Sequence, residues 1–407
     1  MLLTVFWILI HVHPIQGQWT KSTQFDDSDM AQDLAEARSF KKYPTYRQYL
    51  DLMEAFASDY PDICRLDTIG HSTEGRLLLA LKISDRVQED EAEACFLYTS
   101  SMHGNEILGF VLLLHLADSL LTAYGAEAEI TRLVDHLQVW INPLANPDGS
   151  FSGGNDLTLQ YARRANADGL DLNRDFPVAT RGEADDSTGR ALETGYMMEF
   201  HRKHGFSLSA NIHSGAEVVN YPWDDRQALQ VDDDWYRFIS REYADEARAV
   251  NPDFAWSFED GITNGWDWYQ VLGSRQDYVN HYLGGREVTL ELSDEFLLPS
   301  AELEQNWNIN RRSLINYMSQ CLYGIRGRVS DLDSGDPLRA QIFVMEHDSS
   351  YSVVHSSPDH GDYYRLIKEG IYDLVVSAPG YHSDTIHAVV VTDYEATRLD
   401  IQLKAYA

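Results

Sequence analysis

Cysteine is scarce in this chain: Cys64, Cys95 and Cys321 are the only three in 407 residues. That is too few for a disulfide-built scaffold and allows one internal bridge at most. Basic residues are short as well, with 32 Lys and Arg against 64 Asp and Glu and a formal charge of -32. A field of that sign repels phosphate backbones and anionic membrane surfaces, so nucleic acid is excluded as a partner class. It favours cationic peptides, and equally suits an acidic surface that keeps a chain soluble. There is no Asn-X-Ser/Thr sequon, so N-glycosylation has no acceptor. After the N-terminus no apolar run is long enough to cross a bilayer, and no lipidation signal is found, so no membrane anchor is expected.

What is present is core-forming. Hydrophobic residues make up 44% and aromatics 12%, enough for a large domain followed by a smaller one. Residues 2–10 are apolar and small or polar residues follow near Gly17, the outline of a signal peptide over residues 1–17. This predicts a secreted protein, extracellular or, in a bacterial host, periplasmic. Residues 18–40 read as a polar leader or linker. From Tyr46 the spacing Tyr46, Tyr49, Leu50, Met53, Phe56, Ala57 predicts an amphipathic helix ending before Pro61.

Over residues 41–321 apolar runs at 94–99, 138–142, 206–212 and 287–292 read as strands, with a helix over 107–123. Such alternation predicts an α/β domain with its site just beyond the carboxyl ends of strands, where His103, His213 and Glu291 fall. Over residues 322–407 short alternating runs at 340–344, 372–376 and 387–391, separated by turn residues, predict a small all-β sandwich.

Ser101-Met102-His103-Gly104-Asn105-Glu106 places a histidine and a glutamate three apart after a predicted strand. Alone this pair is a weak metal signal. His213, again at the end of an apolar run, supplies a third donor, and two imidazoles with one carboxylate form an open catalytic zinc set. Glu291 interrupts an apolar strand, and burying a carboxylate there is costly unless it is used. Alternation alone leaves open whether it faces a site or solvent.

Together the segments resemble the zinc metallocarboxypeptidase family. The matching runs are His103-Gly104-Asn105-Glu106, Asn146-Pro147-Asp148-Gly149, Asp171-Leu172-Asn173-Arg174, Asn211-Ile212-His213, Tyr221-Pro222-Trp223-Asp224 and Glu291-Leu292-Ser293. The similarity is greatest to the carboxypeptidase N and E branch, whose catalytic domain precedes a transthyretin-like sandwich. Gly324-Ile325-Arg326-Gly327-Arg328-Val329 and Gly361-Asp362-Tyr363-Tyr364-Arg365-Leu366 resemble parts of that sandwich.

The resemblance implies a mixed-sheet catalytic domain, one zinc ion (Zn2+) on His103, Glu106 and His213, and Glu291 as general base. It implies Arg164 as the oxyanion donor, and Asn173, Arg174 and Tyr269 as the set that binds the terminal carboxylate of a peptide or protein substrate. Asp224 and Gln276 fall where the branch receives a substrate Lys or Arg; the blander reading is that Asp224 serves the turn after Pro222. Two departures bear on this. Ser274-Arg275 stands in place of a usual Gly-Met pair, so that Arg275 either neutralises Asp224 or points into solvent, and Gly285-Arg286 replaces a cysteine-containing stretch. The expected activity is hydrolysis of the last peptide bond. A non-catalytic module for peptide C-termini, a carboxypeptidase with non-basic specificity and a zinc deacylase of small N-acyl substrates are the competing readings.

Overall fold

The computed structural model describes residues 24–153 and 155–406; the expected signal peptide lies outside them. Eight strands build the main sheet: β1 Cys64–His71, β2 Leu77–Ile83, β3 Ala94–Ser100, β4 Leu137–Asn142, β5 Leu208–His213, β6 Ala216–Tyr221, β7 Ile262–Asn264 and β8 Arg286–Ser293. Their order is β1-β2-β4-β3-β5-β8-β6-β7. The central β4-β3-β5-β8 group is parallel, while the β1–β2, β2–β4 and β6–β8 pairs are antiparallel and β7 runs parallel to β6. This is the mixed α/β sheet that the alternating pattern predicts.

Strand alternation decides what each face carries. Phe96 and Tyr98 of β3, Leu208, Ala210 and Ile212 of β5, and Val288, Leu290 and Leu292 of β8 join the larger core, under helices such as Leu108–Ala123, Asp233–Val250 and Leu303–Ser319. The opposite face receives Thr99, Ser209, Asn211, His213, Glu287 and Glu291, all buried. It is covered in part by the helices Leu192–His204 and Arg275–Tyr282 through Met197, Met198, Tyr278 and Val279. Polar residues inside these strands therefore mark one face of the sheet.

The predicted amphipathic helix spans Tyr46–Asp59, capped by Thr45, whose side chain accepts from Gln48 N–H. It buries Tyr46, Tyr49, Leu52, Met53 and Phe56; Leu50 packs only partly. The stretch expected as a linker belongs to the same unit from Phe25 onward. Phe25, Met30, Ala31, Ala37 and Phe40 enter the larger core, and Asp29 accepts from Ser300 N–H and Oγ at 2.8 and 2.7 Å. Its charged residues other than Asp29 lie at least partly outward, which hid the short apolar face from a composition reading. All three cysteines are free.

The C-terminal region is a sandwich. One sheet runs β11-β10-β13-β14, from Val354–His355, Gln341–Val344, Gly370–Ser377 and Asp384–Val391; the other joins β12 Asp362–Arg365, β9 Gly324–Asp331, β15 Ala396–Arg398 and β16 Ile401–Leu403. Ile325, Val329, Ile342, Val344, Leu374 and Val376 form its core.

A buried charge network fastens the sandwich to the α/β domain. Arg365 donates to both oxygens of Asp232 at 3.0 and 2.8 Å and to Asp348 at 2.6 Å. Arg286 reaches Asp232 at 2.8 Å and His347 lies 2.7 Å from it. Asp232 and Arg365 are 0% exposed. Burial alone would raise the Asp232 pKa, but Arg365 and Arg286 hold it well below the usual range. The departure at Arg286 thus serves the interdomain contact. Removing one partner of such a network costs about 3–5 kcal/mol. Arg365→Met is expected to lower the calorimetric unfolding temperature and let the sandwich melt separately; an unchanged single transition would show that the network contributes nothing to the coupling.

Candidate active site

The strand β3 ends at Ser100, and Ser101 takes a left-handed φ of 55° that turns the chain across the carboxyl edge of the sheet. Gly104 then passes the helix Pro147–Ser150 so closely that a Cβ would lie 2.2 Å from the Gly149 carbonyl carbon. Asn146 pins the same crossing, donating to Met102 O at 3.0 Å and accepting from Gly149 N–H at 2.9 Å. The His-Gly-Asn-Glu and Asn-Pro-Asp-Gly runs are two halves of one backbone crossing.

That crossing aims His103 and Glu106 at His213, the last residue of β5. His103 Nδ1 lies 2.8 Å from Glu106 Oε1, His213 Nδ1 2.7 Å from Glu106 Oε2, and the two Nδ1 atoms 3.1 Å apart. One donor atom from each residue falls within 4.8 Å of the others. The outer nitrogens have partners: His103 Nε2 is 2.9 Å from Asp171 Oδ1 and His213 Nε2 is 2.6 Å from the Asn211 amide. Two inward imidazole nitrogens and a carboxylate with the outer positions held fit a tetrahedral cation with one position open.

The electrostatics agree. Burial opposes ionisation of Glu106, yet His103 and His213 bring its pKa down to about 2. Burial also disfavours a charged His103, but Glu106 and Asp171 outweigh it and the pKa is raised; at His213 burial wins and the pKa falls.

Glu291 stands beside His213 across the β5–β8 ladder. Its Oε2 is buried without a hydrogen-bond partner, and burial, then the Glu106 charge, push its pKa well above the ordinary range. Arg164 donates to Asp171 Oδ2 at 2.8 Å and to Glu106 Oε1 at 3.3 Å, at the rim of the cluster. Asn173 accepts from Arg275 N–H through Oδ1 at 3.0 Å, which leaves its NH2 for a ligand. Arg174 is exposed. Tyr269 follows the short helix Gly265–Trp268, 47% exposed; burial and then Glu291 raise its phenol pKa, and Arg174, Asp224 and Arg164 also act on it. The ten residues singled out from the sequence therefore share one region.

Asp224 is 3% exposed and accepts from Asn220 Nδ2 and Gln276 Nε2, each at 3.1 Å. A Cβ on Gly265 would come within 1.9 Å of Asp224 Oδ1, so glycine is required beside it. Burial raises the Asp224 pKa. Arg275 takes neither expected course: it is 0% exposed and pairs with Glu287, leaving Asp224 unneutralised.

Two contributors were missed in the sequence. Asp171 heads a motif whose later residues drew attention, and Asn211 precedes His213 by two, on the same strand face. Only the period of two marked Asn211.

A mixed sheet carrying an open His-Glu-His cluster at the carboxyl ends of its parallel strands defines a metal-dependent hydrolase. The chain belongs to the zinc carboxypeptidase family, whose profile matches residues 49–313, while a carboxypeptidase regulatory-like domain matches residues 324–404. It is a metallocarboxypeptidase. It is 34% identical over 387 residues to carboxypeptidase SOL1 of Arabidopsis thaliana, covering 92% of this chain and 75% of that protein. To carboxypeptidase M of Mus musculus it is 35% identical over 354 residues, covering 81% and 78%. It is likewise 35% identical to carboxypeptidase D of Homo sapiens, covering 84% of this chain but spanning only 25% of that protein. Thrombin activatable fibrinolysis inhibitor shares the fold, with a TM-score of 0.60 at 20% identity over 70% of this chain and 76% of that one.

Partners of metal-binding histidines typically contribute 10–100-fold in metal affinity. Asp171→Asn and Asn211→Ala are each expected to weaken zinc binding about 10–100-fold in chelator competition; unchanged affinity in both would separate these contacts from the metal site.

Proposed function

We propose that this chain is an exported carboxypeptidase that releases a C-terminal Lys or Arg from peptides or proteins, with one zinc ion on His103 Nδ1, Glu106 and His213 Nδ1. The observation that carries the specificity is Asp224: a buried carboxylate that accepts from the neutral amides of Asn220 and Gln276 and, among the described residues, forms no ion pair with a cation. A buried anion lacking a counter-charge is unstable alone and is relieved by a ligand ammonium or guanidinium. The acidic surface, with its formal charge of -32, assists encounter with cationic peptides. Export is supported by the apolar run at residues 2–10. Among the described residues no single helix is long and apolar enough to cross a membrane.

Bound at the three ligands, zinc supplies Lewis acidity to a carbonyl and acidifies water. The chain's own residues do the rest. Arg174 pairs with the substrate's terminal carboxylate, the Asn173 NH2 donates to it, and Tyr269 closes over it. These contacts require a free C-terminus and make the enzyme an exopeptidase. Glu291 takes the proton of the attacking water and returns it to the leaving amine, a role suited to a carboxylate beside His213 whose pKa burial raises above the ordinary range. Arg164 turns from Asp171 and Glu106 to the oxygen on which negative charge develops.

Peptides alike except for a final Arg, Lys, Leu, Phe or Glu test this reading, with zinc and with chelator. Chelator-sensitive cleavage favouring Arg and Lys is expected, and a preference for Leu, Phe or Glu would overturn the assignment of Asp224. Glu291→Gln is expected to lower kcat by about 10²–10⁴-fold at unchanged zinc content, as loss of a general base does. Asp224→Asn should cost about 10²-fold or more in kcat/KM for Arg-terminated peptides, since a buried charge pair loses a partner, and little for Leu-terminated ones.

A further inference from the structure

The Arg275 side chain lies between the sheet and its own helix, beneath the metal cluster. Nε and Nη2 grip Glu287 Oε1 and Oε2 at 2.9 and 3.0 Å, and Ser209 Oγ donates to the same carboxylate at 2.6 Å. Nη1 donates to Thr99 Oγ1. These partners sit on three adjacent strands: Ser209 on β5 is in register with Glu287 on β8, four residues before His213 and Glu291, and Thr99 on β3, four before His103, is in register with Asn211, two residues nearer the site. One guanidinium thus ties together the strands that deliver both histidines and the carboxylate base.

Two further contacts lead from Arg275 to the chemistry. Thr99 Oγ1 lies 3.2 Å from the Asn211 amide, which lies 2.6 Å from His213 Nε2. When His213 gives Nδ1 to a metal, Nε2 carries the proton. Asn211 then presents its oxygen to that N–H and, after a half-turn of the amide, its NH2 to Thr99 Oγ1, which accepts from Asn211 and Arg275 together. On the main-chain side, Arg275 N–H holds Asn173 Oδ1 at 3.0 Å, and the next residue, Gln276, reaches Asp224.

We infer that Arg275 is a positioning residue: through Thr99 and Asn211 it orients His213 for the metal, and through its backbone it orients Asn173 for the substrate carboxylate. The inference rests on the proposed ligand set. An isolated buried ion pair placed for stability would need neither the line of hydrogen bonds to His213 nor partners on all three ligand-bearing strands. A methionine, the residue of the branch this chain resembles, would fill the space without making any of these contacts.

The test compares Arg275→Met, the double variant Arg275→Met/Glu287→Gln, and Thr99→Val in the full chain. The double variant removes the carboxylate that the single one strands, and Thr99→Val leaves the ion pair intact, so it decides if neither of the others folds. Zinc affinity by chelator competition, the visible spectrum of the Co2+-loaded protein, and KM and kcat on an Arg-terminated peptide are read for each. The expected result is zinc binding weakened about 10–100-fold, an altered Co2+ spectrum in each folded variant, and a raised KM in the Arg275 variants. A double variant with wild-type zinc affinity and spectrum would reduce the pair to a stability element and overturn the inference; so would an unaffected Thr99→Val if it alone folds. Wild-type protein that binds neither metal would instead overturn the ligand assignment.

Discussion

Glu106 is buried between His103 and His213, its two oxygens 2.8 and 2.7 Å from their inward nitrogens, and the rest of the catalytic domain is arranged around the cost of keeping it there. A carboxylate removed from water must be met by positive charge or hydrogen bonds, or it takes up a proton. The imidazoles hold the Glu106 pKa down at about 2, and the geometry leaves room for a cation as the stronger partner. Holding three donors in that arrangement requires rigid elements. Parallel strands ending at one level supply His213 and Glu291, and a backbone crossing that only glycine permits at position 104 supplies His103 and Glu106.

Charge satisfaction recurs at each deeper layer. Asp171 and Asn211 occupy the outer imidazole nitrogens, Arg275 and Glu287 neutralise each other beneath, and Asp232 gathers two arginines and a histidine where the sandwich docks. Asp224 and Glu291 lack such charged partners: Asp224 accepts from the neutral amides of Asn220 and Gln276, and Glu291 Oε2 has no partner. On the proposed reading, both deficits sit where the substrate or the reacting water completes them.

Much of this was legible in the amino-acid order. The strands that carry the site and the sandwich followed from alternation and turn residues; His103, His213 and Glu291 stood out as polar residues in or after apolar runs, and the other candidates came from the family resemblance that the ordered motifs carry. Asn211 and Asp171 were not, because a residue that holds a ligand differs in no local pattern from one that merely fills a strand or turn. Residues 25–40 hid their packing because a short segment buries few side chains, and charge dominates its composition.

Arg275 separates the two kinds of information most sharply. From sequence it was a departure beside the specificity pocket, free to neutralise Asp224 or to face solvent; the fold turns it away from both, onto Glu287 and Thr99. Arg286 is similar, since its partners include Asp232, 54 positions away, and the carbonyl of Ser352 in the sandwich. Residue order by itself determined the class of chemistry, because donor types, their spacing and the strand period are local properties. Which charges meet was decided only by the tertiary structure, because a long side chain reaches whatever acceptor the packing of distant segments brings within about 3 Å.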